Sequence, residues 1–171
     1  MTTFYIVRHG ETDYNRDGRY QGQTDIPLND HGRAQGRYAA RRLAGIALDT
    51  IYSSDLSRAA ETARLVAGDR PVVLEPRLRE IHVGRVAGMG WAEIAEAEPA
   101  FWVAFQVDSA TARFPDGESA ADLQRRAVEA LEAIHRQYPE GHVGIITHGG
   151  VIKTIVAAVL EMPLVKRSLI V

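Results

Sequence analysis

The sequence predicts an α/β fold, a three-layer α/β/α sandwich with a mostly parallel central sheet. Two observations predict it. Strand-like runs and helical stripes alternate along the 171 residues, and the strands are continuous apolar runs such as TFYIV and VGIIT. Strands buried on both faces read this way, and helices on both faces are what bury a parallel sheet.

The elements follow in order. Thr3 to Val7 is β-branched and aromatic and reads as a buried strand. Gly10 to Asn29 is too rich in Asp, Asn, Arg and Gly to be the interior of an element. Asp30 is placed to cap a helix from about His31 to Ala44, with Ala34, Tyr38 and Leu43 towards the core. Asp49 to Tyr52 is a second strand. Ser54 or Asp55 caps a helix to about Ala67, with Leu56, Ala59, Ala60, Ala63 and Val66 at helical spacing. Pro71 to Leu74 is a short third strand, and Arg77 to Gly90 is glycine-punctuated loop. Trp91 to Val107 reads as helix interrupted near Pro99, and Asp108 to Gly117 as another loop. Glu118 or Ser119 opens a long helix through about Tyr138, with Leu123, Ala127, Ala130, Leu131 and Ile134 inward. Val143 to Thr147 is a strand, after which Gly149 and Gly150 open a helix to about Leu160. No repeat, low-complexity tract or linker divides the chain, so residues 1–171 are expected to form a single domain.

Composition removes several functions. Lysine and arginine number 20 against 22 Asp and Glu, which argues against a broad nucleic-acid face or a polybasic membrane anchor. There is no cysteine, so disulfides, thiolate zinc sites, iron–sulfur clusters and a cysteine nucleophile are excluded. No apolar run approaches the ~20 residues that span a bilayer. Met1 to Val7 is short and uncharged, unlike a signal peptide. A cytoplasmic protein with neither nucleic-acid nor membrane partners is expected.

In open α/β sheets, ligands bind beyond the carboxyl ends of the strands. Two strands end alike here. The first runs into Arg8-His9-Gly10-Glu11-Thr12, the late one into Thr147-His148-Gly149-Gly150. Each puts a histidine at the strand end, followed by glycine that lets a ligand approach the backbone. A third strand leads through Ser53-Ser54 to Arg58 in the first turn of a helix, where anions are favoured. Two histidines and two arginines suit a dianionic phosphoryl group better than a metal, since no HExxH-type pair is present and arginine repels cations. No metal and no cofactor are expected. His31, His82, His135 and His142 lack the strand-end setting, and of these only His82 lies near a candidate acid.

Arg8-His9-Gly10-Glu11-Thr12 with Asn15 resembles the RHGE motif of the histidine phosphatase superfamily, also called phosphoglycerate mutase-like. The resemblance continues through Gln21-Gly22, Asp25-Ile26-Pro27-Leu28-Asn29 and Gly32, then Ser53-Ser54-Asp55-Leu56 with Arg58-Ala59 and Thr62-Ala63. Leu78-Arg79-Glu80-Ile81, Gly84, Gly117-Glu118-Ser119 and Thr147-His148-Gly149-Gly150 complete it, in order, over nearly the whole chain. The resemblance implies roles. His9 would be the nucleophile that becomes phosphohistidine, with Arg8, Arg58 and His148 holding the phosphoryl oxygens. Glu80 would protonate the leaving oxygen and then activate water. Asn15 and the Gln21-Gly22 backbone would add contacts, and Gly149 a backbone amide at a helix N-terminus. Without the resemblance, Glu80 beside Arg79 reads as an ordinary surface carboxylate.

The chain departs from the family pattern in three places. Gly84-Arg85-Val86-Ala87-Gly88 lacks the aromatic–acidic pair of a G-x-W-E-G pattern. Gly149-Gly150 stands where the mutase branch has glycine and asparagine, and only Arg85 and Arg113 are basic between Arg85 and Asp122. The paired Arg125 and Arg126 lie within the long helix. Relatives also continue past the last helix into a strand, whereas this sequence stops at Ser168-Leu169-Ile170-Val171, an apolar tail that reads as a sheet-edge strand cut short. The expectation is a metal-independent phosphomonoester hydrolase acting on a small phosphorylated substrate, with a homodimer left open. A cofactor-dependent phosphoglycerate mutase and a non-catalytic phospho-ligand binding module are the alternatives.

Overall fold

The computed structural model describes residues 1–170. Four parallel strands form one sheet in the order β1-β4-β2-β3, from β1 (Thr3–Arg8), β2 (Thr50–Ser53), β3 (Val73–Leu74) and β4 (His142–Thr147). The helices are α1 (Asp13–Arg16), α2 (Asp30–Leu43), α3 (Ser57–Ala67), α4 (Trp91–Ala97), α5 (Pro99–Val107), α6 (Ala120–Gln137) and α7 (Gly149–Val159). Strand parity divides the core into two layers. Phe4, Ile6, Tyr52, Val143 and Ile145 pack beneath α6 and α7, while Tyr5, Val7, Ile51 and Ile146 pack against α2 and α3. Complete burial of Ile51, Ile145 and Ile146 contributes roughly 1.5–3 kcal/mol each. The three-layer parallel architecture is the one expected from sequence.

A third apolar cluster lies at one end, built by Val83, Val86, Ile94, Phe101 and Phe114 with Tyr20 and Trp91 packed on it. Tyr20 stacks on Trp91 at 5.2 Å between ring centroids. The interruption at Pro99 falls as expected, because proline can start a helix but cannot continue one.

Several local expectations are corrected. Asn29, not Asp30, caps α2 by accepting from the Gly32 amide at 2.8 Å. Tyr38 is exposed, with the Arg41 guanidinium 4.4 Å above its ring. The buried residues of α2 are Gly32, Gly36 and Leu43: a Cβ on Gly32 would lie 2.1 Å from the Glu11 carbonyl oxygen, and one on Gly36 2.6 Å from Leu65 Cδ1 of α3. Neither Ser54 nor Asp55 caps α3; Asp25, distant in sequence, accepts from the Ser57 amide at 2.7 Å. The polar stretch after β1 contains α1, closed by a reciprocal bond between Thr12 and Asn15.

The tail is not a strand. Leu164–Leu169 forms a 3₁₀ turn after Pro163, and Val171 lies outside the described residues. Arg167 fastens this turn by donating to the Ser109 carbonyl at 2.7 Å and to its hydroxyl at 3.1 Å. Among the described residues the outer edge of β1 carries no strand partner.

Candidate active site

The sheet brings three strand ends together. Arg8 lies opposite Thr147 in the β1–β4 register, so His9 and His148 leave the sheet at the same level. The His9 amide still donates to the Thr147 carbonyl at 2.9 Å, which fixes its backbone. The next residue must be glycine, since a Cβ on Gly10 would lie 2.2 Å from the Gly32 carbonyl oxygen. The two imidazoles meet edge to face with centroids 5.0 Å apart.

His9 Nδ1 lies 2.6 Å from the Gly10 carbonyl oxygen. A carbonyl only accepts, so Nδ1 carries the hydrogen and Nε2 keeps its lone pair. Burial first, then Arg58 and Arg8, push the pKa of His9 down to about 3, overcoming the Gly10 bond. It is neutral at physiological pH. His148 is fully buried, and burial, Arg58 and His9 hold it well below the usual histidine range. Its Nε2 lies 2.8 Å from Ser54 Oγ, while its Nδ1 is buried without a hydrogen-bond partner.

Arg58 is also fully buried. Nη1 donates to the Thr24 carbonyl at 2.9 Å and Nη2 to the Gly22 carbonyl at 2.7 Å. Gly22 turns that carbonyl inward with φ near +53°, a conformation suited to glycine. Arg58 Nε has no partner. Buried polar atoms are normally paired, and Arg58 Nε can only donate, so it lacks the acceptor that an anionic oxygen would supply.

Glu80 lies in irregular chain between β3 and α4. Its Oε1 accepts from the Ile81 amide at 2.8 Å and its Oε2 from the Gly150 amide at 3.0 Å. Asn15 Oδ1 is engaged by Thr12, and Gln21 Oε1 accepts from Thr12 Oγ1 at 2.8 Å. Both side chains are therefore held by their oxygens.

One cavity of about 260 Å³ collects Arg8, His9, Asn15, Gln21, Gly22, Arg58 and Glu80, with Tyr20, Ile81 and Val83 on its wall. A second, of about 500 Å³, shares Arg8, His9 and Asn15 and extends to Glu11, Gln35 and Thr62. His148 lines neither cavity; it is fully buried and touches the site through the His9 ring. The backbone amide that reaches Glu80 is that of Gly150. The Ser54 hydroxyl accepts from the Leu56 amide at 3.3 Å ahead of α3 and also meets His148. Thr12 was not singled out for the site. Its position three residues before Asn15 was the available signal, a helix-capping spacing. His82 is exposed, outside this cavity.

Among the described residues no group of three or more His, Asp or Glu side chains is arranged to hold a metal ion, and no helix is long and apolar enough to cross a membrane.

The model of the histidine phosphatase superfamily, branch 1, matches residues 4–170. A metal-independent phosphoserine phosphatase from Arabidopsis thaliana is 41% identical over 160 residues, covering 91% of this chain and 67% of the relative. A phosphoglycerate mutase-like protein from the same plant is 37% identical over 155 residues, covering 88% and 67%. A phosphoserine phosphatase from Entamoeba histolytica, crystallised in complex with 3-phosphoglyceric acid, superposes with a TM-score of 0.91 at 31% identity, covering 100% of this chain and 86% of that one. With the family model spanning almost every residue and phosphatases among both its sequence relatives and its structural neighbours, the chain belongs to the histidine phosphatase superfamily, on the phosphatase side of that family.

Proposed function

We propose that the chain hydrolyses small phosphomonoesters through a phosphohistidine on His9, without a metal ion. The observation that carries this reading is the His9 ring itself: Nδ1–H is committed to the Gly10 carbonyl, and burial beside Arg58 keeps Nε2 unprotonated. An unprotonated imidazole nitrogen at the edge of a cationic pocket is a nucleophile waiting for a dianion.

The steps balance. His9 Nε2 attacks phosphorus, the N–P bond forms and the P–O bond to the alcohol breaks. Glu80 delivers a proton to the leaving oxygen. Water then attacks phosphorus, Glu80 takes the proton back, and phosphate leaves with His9 neutral again. Arg8 and Arg58 neutralise the equatorial oxygens, which supplies charge compensation that other phosphatases draw from magnesium. If Ser54 donates its hydroxyl hydrogen to His148 Nε2, the His148 hydrogen sits on Nδ1, the unpaired buried atom, where it can donate to a phosphoryl oxygen. Asn15 and Gln21 present their amide nitrogens to the same group.

A cavity of about 260 Å³ suits a compact substrate. Phosphorylated hydroxy or amino acids of the size of phosphoserine and phosphoglycerate are the class proposed, in keeping with the Entamoeba neighbour. The family match over residues 4–170 supports treating the chain as one catalytic domain. A cytoplasmic home, in keeping with the cysteine-free composition, and a homodimer belong to the same reading.

Phosphate release from p-nitrophenyl phosphate in excess chelator tests the reaction, and acid-labile, base-stable labelling tests the intermediate. Turnover that requires added metal, or no label under rapid quench, defeats the proposal. Phosphoryl exchange between bisphosphoglycerate and monophosphoglycerate, faster than hydrolysis, would establish a mutase instead.

A further inference from the structure

Glu80 has no helix or strand to hold it; residues 79–83 belong to neither. A proton donor nevertheless has to stay within a fraction of an ångström of its working place. A guanidinium from α6 supplies the missing support. Arg126 has five N–H bonds, and each finds an acceptor. Nη1 donates to the carbonyls of Arg77 at 2.7 Å and Arg79 at 2.6 Å. Nη2 donates to the Glu80 carbonyl at 2.8 Å and to Glu118 Oε2 at 2.9 Å, and Nε donates to Glu118 Oε1 at 2.8 Å. Three of the five bonds thus end on the backbone that carries Glu80.

Glu118 extends the grip to the other side of the acid. Its Oε2 also accepts from the His82 amide at 2.9 Å, and its own amide donates to the His82 carbonyl at 2.8 Å. The preceding residue has to be Gly117, since a Cβ there would lie 2.2 Å from that carbonyl oxygen. Residues 77 to 82 are therefore bracketed on both sides of Glu80 by one ion pair. Its side chains are only 17% and 22% exposed. Half-buried ion pairs give little net stability, because desolvation offsets much of their attraction. What this one supplies is direction: a planar fork that fixes three carbonyls at once, which a lysine cannot reproduce from a single nitrogen.

We infer that Arg126, with Glu118 as its partner, is a positioning residue that sets the Glu80 carboxyl at the leaving oxygen. The inference rests on the reading of Glu80 as proton donor. Arg126 touches the backbone of Glu80 and acts through it.

The test compares two substrates. In Arg126→Lys, kcat for phosphoserine, whose alkoxide needs a proton, falls roughly ten- to a hundredfold, within what general-acid catalysis supplies. The kcat for p-nitrophenyl phosphate, whose phenolate leaves unaided, falls by less than about threefold on the same principle. Inhibition by vanadate, which reads Arg8, Arg58 and the histidines, stays unchanged. In a Glu80→Gln background Arg126→Lys adds little, since both changes remove one function. Glu118→Gln keeps the guanidinium and gives the same pattern at smaller size, which covers an Arg126→Lys protein that does not fold. Equal losses on both substrates, or a full further loss in the Glu80→Gln background, overturn the inference. If Glu80→Gln itself shows no dependence on the leaving group, the reading of Glu80 falls and takes the inference with it. A normal Glu80 dependence with an insensitive Arg126→Lys removes the positioning role alone.

Discussion

Glu80 and Gly150 share one volume. The Gly150 amide donates to Glu80 Oε2 at 3.0 Å, and a Cβ on Gly150 would lie 2.3 Å from Oε1. The carboxylate occupies space that any larger residue would take. The second glycine after His148 is thus part of the proton donor's seat.

Gly150→Ala should therefore act on chemistry more than on stability. The atom that must yield is the end of a flexible side chain, and alanine gains about 0.5–1 kcal/mol over glycine inside a helix. The expected result is a fall in kcat for alkyl phosphates of roughly ten- to a hundredfold, with the melting temperature unchanged or slightly raised. Steady-state kinetics and a thermal scan on one preparation decide it. Unchanged kcat would show that Glu80 works equally well when displaced.

His9→Ala should abolish turnover and the acid-labile label, while vanadate still binds weakly through Arg8, Arg58 and His148. Rapid quench with labelled substrate, read beside a vanadate titration, measures both. Labelling that persists in the variant would move the nucleophile elsewhere.

Acid should unfold the protein through its buried histidines. The folded-state pKa of His9 is about 3 against an unfolded value of 6.5, and His148 shifts the same way. Between those two values the unfolded chain binds more protons, so stability is fully present above pH 6.5 and falls as pH drops towards 3. Each such group contributes up to about 1.4 kcal/mol per pH unit. His9→Asn keeps a donor for the Gly10 carbonyl and removes the titrating ring. Urea denaturation at pH 7 and pH 5 should show a shallower loss for the variant; parallel losses would mean that His9 titrates normally.

Ser54→Ala leaves His148 Nε2 without its partner in a fully buried place, a change that costs about 1–3 kcal/mol. The freed imidazole can take the other tautomer, so Nδ1 no longer reliably donates. The expected outcome is lower stability together with weaker vanadate inhibition, while His9 labelling still occurs. Normal vanadate affinity in a destabilised variant would confine Ser54 to a structural role.

The sequence by itself determined the layers, the main strands and the meeting of two strand-end histidines. Continuous apolar runs at Thr3–Val7 and Val143–Thr147 require burial on both faces, and a histidine at the end of each run lands at the carboxyl edge of a parallel sheet. Those signals are local in the chain, so they can be read there. The tertiary structure alone decided the partners. Ser54 has a sequence that suits a cap, but β2 beside β4 turns its hydroxyl to His148. Tyr38 sits at a core spacing, but α2 turns Gly32, Gly36 and Leu43 inward and leaves Tyr38 exposed. The tail has the composition of a strand, but Arg167 finds Ser109 and winds it into a 3₁₀ turn. Arg126 looks like half of a basic pair within a long helix until the fold brings the carbonyls of residues 77, 79 and 80 within its reach. Hydrogen bonds depend on distance and direction between groups far apart in the chain, and spacing along the sequence encodes neither.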